Sequence, residues 1–302
     1  MRGLALGLIF AAALLGQARY ARLGEMDGRV EVRMHPTAAW RPGLRNMALV
    51  QTSAIRTGPA AHVEIELDEG SVLRLAADSS CELADYTRLS TGQRITRIFL
   101  DRGTAYFSGE PLWRDALILA MPGAQTMPRR GSRMRAEVEA GASELSVMEG
   151  EVRFSSPAVE LDVTEGKSMR IDPLHSGRFV LSPEINPLES DAYSRRRDLA
   201  LAGGTSAMHL AGVRYGARDL DAHGTWIDAG DFGLAWKPKL QDGWIPFRDG
   251  RWEWYEGIGY TWIGSEPWGW LPYHYGRWML HAKLGWFWVP SRMKTFHPGD
   301  VY

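Results

Sequence analysis

Residues 250–278 read GRWEWYEGIGYTWIGSEPWGWLPYHYGRW, and this stretch decides the fold of the C-terminal part of the chain. Its opening Gly-Arg-Trp returns at residues 276–278, a period of 26 residues. The same period relates three glycines and two sets of tryptophans: Gly224, Gly250 and Gly276; Trp226, Trp252 and Trp278; Trp236, Trp262 and Trp288. A repeat of this length indicates supersecondary units that are stacked or arranged radially.

Each unit is predicted to consist of short strands separated by glycine turns. In the quoted stretch the strands are expected at residues 252–255, 260–263 and 268–271. Tryptophans two residues apart leave the same face of a strand, and the prolines lie where strands end. The sequence therefore predicts a small Trp-rich β-meander or barrel-like module over residues 221–296.

Tryptophan is the most unusual feature of the composition, since eleven of the thirteen lie between Trp226 and Trp288. A buried indole removes about 150–250 Å² from water, so the recurring tryptophans are expected in the core. The number of indoles is large for so small a module, and some are expected at the surface to bind a ligand. The predicted ligand-binding residues are Trp254, Trp268, Trp270, Tyr273, His274 and Tyr275.

The preceding region, residues 22–180, alternates apolar and polar residues with a period of two. Val63, Ile65 and Leu67 alternate with charged residues, and a Gly-containing turn follows. Many short strands of this kind, with no helix-length periodic segment between them, indicate an all-β domain of the β-sandwich or β-roll type.

Four stretches of this region resemble the FecR family of periplasmic domains: IRTG at 55–58, VEIELDEGS at 63–71, LDRGTAYF at 100–107 and VMEGEV at 147–152. The resemblance implies a periplasmic β domain that relays signals to an anti-sigma factor or binds envelope components. The Trp-rich module resembles the repeat that follows FecR-like domains in secreted bacterial proteins of the DUF6600 type, a family without an assigned activity.

The N-terminus reads as a secretory signal peptide over residues 1–18. Arg2 precedes the apolar run 4–15, and small residues at Gly16 and Ala18 suit a cleavage site. The protein is therefore expected to be exported, to the periplasm or the cell exterior, with an uncleaved anchor as the alternative. Cys81 is the only cysteine, which excludes an internal disulfide, and it is expected to be buried.

A short helical linker is predicted between the two regions, over residues 181–220. Asn186 and Pro187 fit a helix start, and the glycine pair 203–204 fits its end. Leucines and a tyrosine loosely suggest an apolar face: Leu188, Tyr193, Leu199 and Leu201.

The chain lacks the sequence motifs that mark common catalytic and nucleotide-binding sites. The sequence has no Gly-rich phosphate loop, no Gly-x-Ser-x-Gly elbow and no His-Glu-x-x-His. Glu253, Glu256 and Glu266 lie near the aromatic residues, but the acids do not recur with the repeat. We therefore expect no catalytic residue, no metal and no cofactor, and the net charge of −1 argues against a nucleic-acid partner.

These features predict an exported, non-catalytic envelope protein that binds or scaffolds through an aromatic surface. Its expected partner is a cell-wall glycan or an envelope protein. One alternative is a FecR-type periplasmic signal-regulatory protein, and another is a glycan hydrolase that uses a pair of the three acids.

Overall fold

The computed structural model describes residues 19–290, except residues 112, 173–177, 203, 211–214, 242 and 257. The predicted signal peptide lies outside the described residues, as does the end of the chain from residue 291. Residues 19–182 contain the strands β1 (Ala21–Asp27), β2 (Val30–Arg33), β3 (Arg41–Pro42), β4 (Ala48–Leu49), β5 (Ala54–Thr57), β6 (His62–Glu66), β7 (Val72–Leu75), β8 (Ser80–Arg88), β9 (Arg94–Ser108), β10 (Ala116–Met121), β11 (Ala124–Pro128), β12 (Arg133–Glu139), β13 (Ala142–Glu149), β14 (Glu151–Ser155), β15 (Glu160–Thr164), β16 (Ser168–Ile171) and β17 (Phe179–Ser182).

These strands form two sheets that share β9. The first sheet has the order β4-β1-β6-β7-β9-β12-β13-β16-β17. The second has the order β3-β2-β5-β8-β9-β10-β11-β14-β15. All of these pairs are antiparallel except the parallel pair β9–β10. One buried apolar cluster takes side chains from both sheets, so the predicted all-β sandwich is confirmed.

The strand β9 passes from one sheet to the other at Gly103. Its residues up to Arg102 pair with β8, and those from Gly103 onward pair with β7 and β12. Gly103 has a φ of +81°, and a Cβ at this position would lie 2.6 Å from the Cα of Ser79. Glycine is required here, because both the backbone conformation and the close approach exclude a side chain. Cys81 of β8 is buried as predicted, and burial raises the pKa of its thiol to about 12.

The outer face of the first sheet carries a polar row, made of Glu64, Arg74, Tyr106 and Arg135. The row crosses β6, β7, β9 and β12, because each member is the cross-strand neighbour of the next. The arginine side chains are only 1 % exposed. Charges are buried in this way only when they are paired. Glu64 and Glu137 of the sheet supply part of the pairing, and a helix supplies the rest.

That helix, α1 (Glu189–Ala202), ends at Ala202 as predicted and begins a few residues after Pro187. It docks on the polar row through polar residues at helical spacing, with Asp191 bound to Arg135 and Asp198 bound to Arg74. The predicted apolar face is wrong, since Leu199 is exposed and Ser194 is the buried residue of the helix. Two short helices follow, α2 (Ser206–His209) and α3 (Arg218–His223).

In the C-terminal part, each 26-residue repeat forms one β-hairpin. The strands are β18 (Gly224–Asp228), β19 (Leu234–Pro238), β20 (Gly250–Tyr255), β21 (Gly259–Gly264), β22 (Arg277–His281) and β23 (Gly285–Val289). The recurring tryptophans face each other across the hairpins: Trp226 and Trp236, Trp252 and Trp262, Trp278 and Trp288. The first and third hairpins join in a sheet of order β18-β19-β23-β22, and β20 pairs with β21.

The recurring glycines are explained by the same tryptophans. A Cβ on Gly250 would lie 2.5 Å from Cζ2 of Trp262, and one on Gly276 would lie 2.7 Å from Nε1 of Trp288. A Cβ on Gly224 would overlap the indole of Trp236 in the same way. The first glycine of each repeat therefore leaves room for the second tryptophan, and the repeat records a packing requirement.

The third strand predicted for the quoted stretch, residues 268–271, is wrong. Its place is taken by a turn and the short helix α4 (Trp270–His274), in which the amide of Tyr273 donates to the carbonyl of Gly269. The six strands β18 to β23 accordingly form an open four-stranded sheet and a separate two-stranded hairpin.

The sandwich and the Trp-rich region share one continuous buried cluster. Asn46 donates its side-chain amide to the carbonyls of Gly264 (3.2 Å) and Glu266 (2.8 Å). Arg22 of β1 binds both Glu66 (2.7 Å) and Asp219 of α3 (2.6 Å), with only 2 % of its side chain exposed. Buried polar groups that are partnered across this boundary fix the Trp-rich region on the sandwich.

Candidate functional site

An aromatic strip covers the outer face of the hairpin β20–β21. It consists of Trp252, Trp254 and Tyr260, which are 50 %, 63 % and 63 % exposed. Trp254 and Tyr260 are cross-strand neighbours with ring centroids 5.1 Å apart. Large aromatic groups in a solvent-facing cluster are typical of a binding surface.

The strip is exposed because the opposite face of the hairpin packs against the sandwich. Residues on that face alternate with the strip and are turned toward the sandwich, as strand geometry requires. Tyr255 accepts a hydrogen bond from the amide of Ala48, and Glu253 binds Arg41. Ile263 is buried. Docking of one face therefore leaves Trp252 and Trp254 on the solvent side, whereas Trp262 on that side is covered by Phe247 and Tyr273.

Of the six residues predicted to bind a ligand, the structure exposes Trp254 and partly exposes Tyr275. The other four are buried, with exposed fractions of 0–3 %: Trp268, Trp270, Tyr273 and His274. They pack in the core because the segment 268–274 folds inward as a turn and helix instead of lying flat as a strand. These four therefore lie outside the exposed aromatic surface, although Tyr273 and His274 contribute to the lining of a groove.

A groove of about 500 Å³ lies beside the strip. Its lining includes Phe247, Tyr273, Tyr275, Arg277, Trp278 and Trp286. Phe247 has a φ of +60°, which is rare for a bulky residue, and its ring lies 5.9 Å from Trp262 and 4.8 Å from Tyr273. Since Trp262 also touches Trp252 (5.4 Å), aromatic rings run without a break from the strip to the groove.

Trp252, Tyr260 and Phe247 were not predicted as site residues. Trp252 was assigned to the core because it recurs with the repeat, whereas burial depends on which face of each hairpin is covered. Strand alternation places Trp252 and Trp254 on one face, but Trp262 shares that face and is buried, so alternation alone does not identify the exposed pair.

His274 is buried between β21 and α4. Its Nδ1 lies 2.6 Å from the carbonyl oxygen of Trp270, and its Nε2 lies 3.0 Å from that of Trp262. Burial lowers the pKa of His274 to about 4, although both carbonyls favour the protonated ring. This histidine links the helix to the hairpin.

The three acids considered for hydrolysis are held in structural contacts or exposed. Glu253 forms ion pairs with Arg41 and Arg251, and Glu266 accepts a hydrogen bond from the indole of Trp244 (2.7 Å). Glu256 lies at the exposed turn of the hairpin. In the part of the chain that the structure describes, no three His, Cys, Asp or Glu residues are grouped to hold a metal ion.

None of the helices within the described ranges has both the length and the apolar character needed to cross a membrane.

Comparison with known proteins identifies both regions. Residues 53–153 match the family model of FecR protein, and residues 217–302 match that of a family of unknown function, DUF6600. The resemblance predicted from the residues is therefore confirmed. No curated protein matches the chain.

Among solved structures, the chain is similar to two crystal structures, at 2.50 and 1.65 Å, of a protein proposed to be an anti-sigma factor from Parabacteroides distasonis ATCC 8503. Sequence identities are 16 % and 17 %, with TM-scores of 0.38 and 0.37. Each match covers 51 % of this chain and 66 % of the other, so the chain spans just under two thirds of the length of those proteins.

Proposed function

We propose that this chain, which carries a FecR-type domain followed by a DUF6600 region, is a non-catalytic regulatory protein of the bacterial cell envelope. It would act in the periplasm or outside the cell by binding another protein. The observation that carries the proposal is the FecR match over residues 53–153, which falls on the two-sheet sandwich. FecR proteins are associated with envelope signalling, and the sandwich supplies a rigid framework for a protein contact.

Two features of the described residues support a binding role over a hydrolytic one. The acids Glu253 and Glu266 are engaged by Arg41 and Trp244 in structural contacts. The accessible features are an aromatic strip and sheet edges, which are recognition surfaces.

Transcript profiling in the bacterium that encodes the protein tests the proposal. Deletion of the gene should change a small set of transcripts that share one promoter type, and the intact gene supplied in trans should restore them. A deletion strain with an unchanged transcript profile under envelope stress would contradict regulation.

The aromatic strip supports a second candidate function, the binding of a cell-wall glycan. Exposed indoles stack on the apolar faces of sugar rings, and Trp254 with Tyr260 offers two exposed rings in an edge-to-face pair.

Intrinsic fluorescence with peptidoglycan and polysaccharide fragments tests this candidate. The emission of the native protein should shift or be quenched, and the double variant W252A/W254A should lose the response. Trp113, which is 96 % exposed on the sandwich, provides the matched control, because W113A should respond like the native protein. Equal responses from the two variants would exclude the strip as the site.

A further inference from the structure

One edge of the sandwich differs from the other three. Among the residues that the structure describes, the strand β17 ends the first sheet, and its residues Phe179, Val180 and Leu181 are 43 %, 63 % and 45 % exposed. An exposed apolar edge strand is a template for pairing with another chain, and soluble proteins usually protect such edges.

The remaining edges are protected by known devices. At β4, the amide of Ala48 is bound by the hydroxyl of Tyr255. The strand β3 ends in Pro42, which has no amide to offer, and its Arg41 binds Glu253. The strand β15 carries acidic side chains that bind Arg153. Strand β17 has no charged residue within Phe179–Ser182 and pairs with β16.

Backbone geometry shows which groups of β17 remain open. The amide of Val147 donates to the carbonyl of Lys167 (3.0 Å), so the backbone of Val147 points toward β16. Hydrogen bonding alternates along an antiparallel ladder, and the register continues without a shift through β16. Val180 and Ser182 therefore turn their backbone groups toward β16. The N–H and C=O groups of Phe179 and Leu181 point to the open edge.

The side chains of the same two residues continue the core. Leu181 and Phe179 are the cross-strand neighbours of Met169 and Ile171, which are 0 % exposed. Phe179 and Leu181 thus lie on the face of the first sheet that packs on the core. At this edge the first sheet extends beyond the second sheet, which leaves their side chains exposed. A further strand placed beside β17 would satisfy their backbone groups and shield their side chains.

We propose that β17 accepts an extended segment of a partner protein as one more strand of the first sheet. This inference rests on the proposed regulatory function, and it names the surface through which that function is exerted. Apolar residues of the segment would alternate with polar ones, so that the apolar set lies beside Phe179 and Leu181. The exposed Arg178 next to the strand favours an acidic residue at one end of the segment.

A second copy of this chain is a poorer occupant of the edge. A stable protein interface involves about 20–30 residues a side, whereas β17 offers four. Self-pairing through this strand alone would fall far short of a stable dimer. A short segment that belongs to a larger partner meets no such limit, since the partner can make contacts elsewhere.

Hydrogen exchange of the free protein tests the geometry first. The amides of Val180 and Ser182 should exchange slowly, and those of Phe179 and Leu181 should exchange at nearly the rate of an unstructured peptide. Protection of Phe179 and Leu181 in the isolated monomer would show that the edge is already occupied and would overturn the inference.

Photo-crosslinking in the native bacterium then tests the occupant. The full-length protein carries p-benzoylphenylalanine in place of Phe179, and the crosslinked partner residues are mapped by mass spectrometry. We expect them to fall in one extended run of a single envelope protein. The added substitution Leu181→Pro removes an outward N–H without breaking the β16 ladder and should reduce the product at least tenfold, with the thermal midpoint unchanged.

The matched control is Val180→Thr, whose backbone faces β16 and whose β-branched side chain keeps the strand; it should retain the product. A product that survives Leu181→Pro, a crosslink to a helix, or no product would each overturn the inference. If gene deletion alters transcripts but Leu181→Pro does not, the regulatory function stands and the docking surface falls. If crosslinking succeeds while deletion changes no transcript, docking stands and the regulatory function falls.

Discussion

Arg74 of β7 and Asp198 of α1 form an ion pair of 2.7 Å, although 124 residues separate them and the arginine side chain is 1 % exposed. Arg74 also binds Glu64 (2.8 Å), which Arg197 of the helix reaches from its other side (3.0 Å). Burial alone would raise the pKa of Glu64, but the two arginines hold it below its usual value. The helix is thus attached to the sheet by charges instead of apolar packing.

Replacement of Arg74 by Met should lower the free energy of unfolding by about 3 kcal/mol, because Asp198 and part of Glu64 would remain buried without their partner. Urea unfolding followed by circular dichroism measures the change. Arg129, whose side chain is 58 % exposed in its pair with Glu151, provides the control, and Arg129→Met should cost less than about 1 kcal/mol. Equal losses of unfolding free energy in the two variants would show that the buried ion pair stabilises the protein no more than the exposed one.

Substitution of Gly250 by Ala should destabilise the protein by about 3 kcal/mol, since the new Cβ meets the Trp262 indole and the carbonyl of Ile263, each at 2.5 Å. At Gly24 the nearest atom would be 3.6 Å away, so Gly24→Ala should change stability little. Thermal unfolding of the two variants measures the difference. If Gly250→Ala is as stable as Gly24→Ala, the spacing argument for the repeat is wrong.

The buried and exposed tryptophans should differ sharply in their contribution to stability. Trp270 is 0 % exposed, and Trp270→Ala should cost about 4 kcal/mol through loss of contacts and the cavity left behind. Trp254 is 63 % exposed, and Trp254→Ala should cost about 1 kcal/mol or less. Denaturant midpoints provide the comparison, and a larger loss for Trp254 would contradict the assignment of core and surface.

The unfolding free energy should depend on His274 in mild acid. Above pH 6.5 the ring is neutral in both the folded and the unfolded chain and contributes nothing. As the pH falls from about 6.5 to about 4, the unfolded chain binds a proton that the folded protein refuses, so folding weakens, by about 3 kcal/mol at the lower end. The measurement is the difference in stability between native protein and His274→Gln across this window.

Carboxylates also titrate near the acid limit, and the difference between the two proteins removes their common contribution. The His274 ring proton followed by NMR provides an independent reading, in which a folded-state pKa above 6.5 would reverse the predicted sign.

Ionisation of Glu69 should lower the free energy of unfolding as the pH rises, which is the opposite direction to the effect of His274. Glu69 is buried beside Asp68 and Arg19, and burial with the Asp68 charge raises its pKa to about 8. The unfolded carboxyl ionises near pH 4.5, so stability is fully present below that value and is lost as the pH rises toward 8. Glu69→Gln should remove this loss and be more stable than the native protein at pH 9, as measured by urea unfolding. If the free energy of unfolding depends on pH in the same way for Glu69→Gln and the native protein between pH 5 and 9, the raised pKa of Glu69 is contradicted.

The hairpins could be predicted from the sequence because one local rule governs them. Gly250 and Trp262 must occur together for the strands to approach, so their period directly records the pairing. The segment of Trp270 and His274 could not be assigned in this way, because Trp268 and Trp270 fit a strand while Trp270 and His274 fit one turn of a helix. Burial of the segment against Tyr215 and the neighbouring hairpins decided between the two.

The helix α1 illustrates the other limit. Its end could be predicted from local chemistry, but its docking face could not, because that face matches charges on β6, β7 and β12 that lie far away in sequence. Asp191 and Asp198 look like ordinary solvent-facing acids until Arg135 and Arg74 are placed beneath them. The edge strand β17 was missed for a similar reason, since exposure at Phe179 depends on where the second sheet stops.

The Asn46 side-chain amide donates to the carbonyls of Gly264, at the end of β21, and of Glu266 just beyond it. These two hydrogen bonds bear on how the protein can be divided into fragments, in the laboratory or by evolution. A fragment that stops before α3 would leave the Arg22 guanidinium short of a carboxylate and Asn46 without acceptors, and it would uncover the surface on which Tyr255 rests. The sandwich and its tryptophan hairpins should therefore be inherited, folded and degraded as one piece, and truncated versions should be recovered mainly as insoluble or proteolysed material.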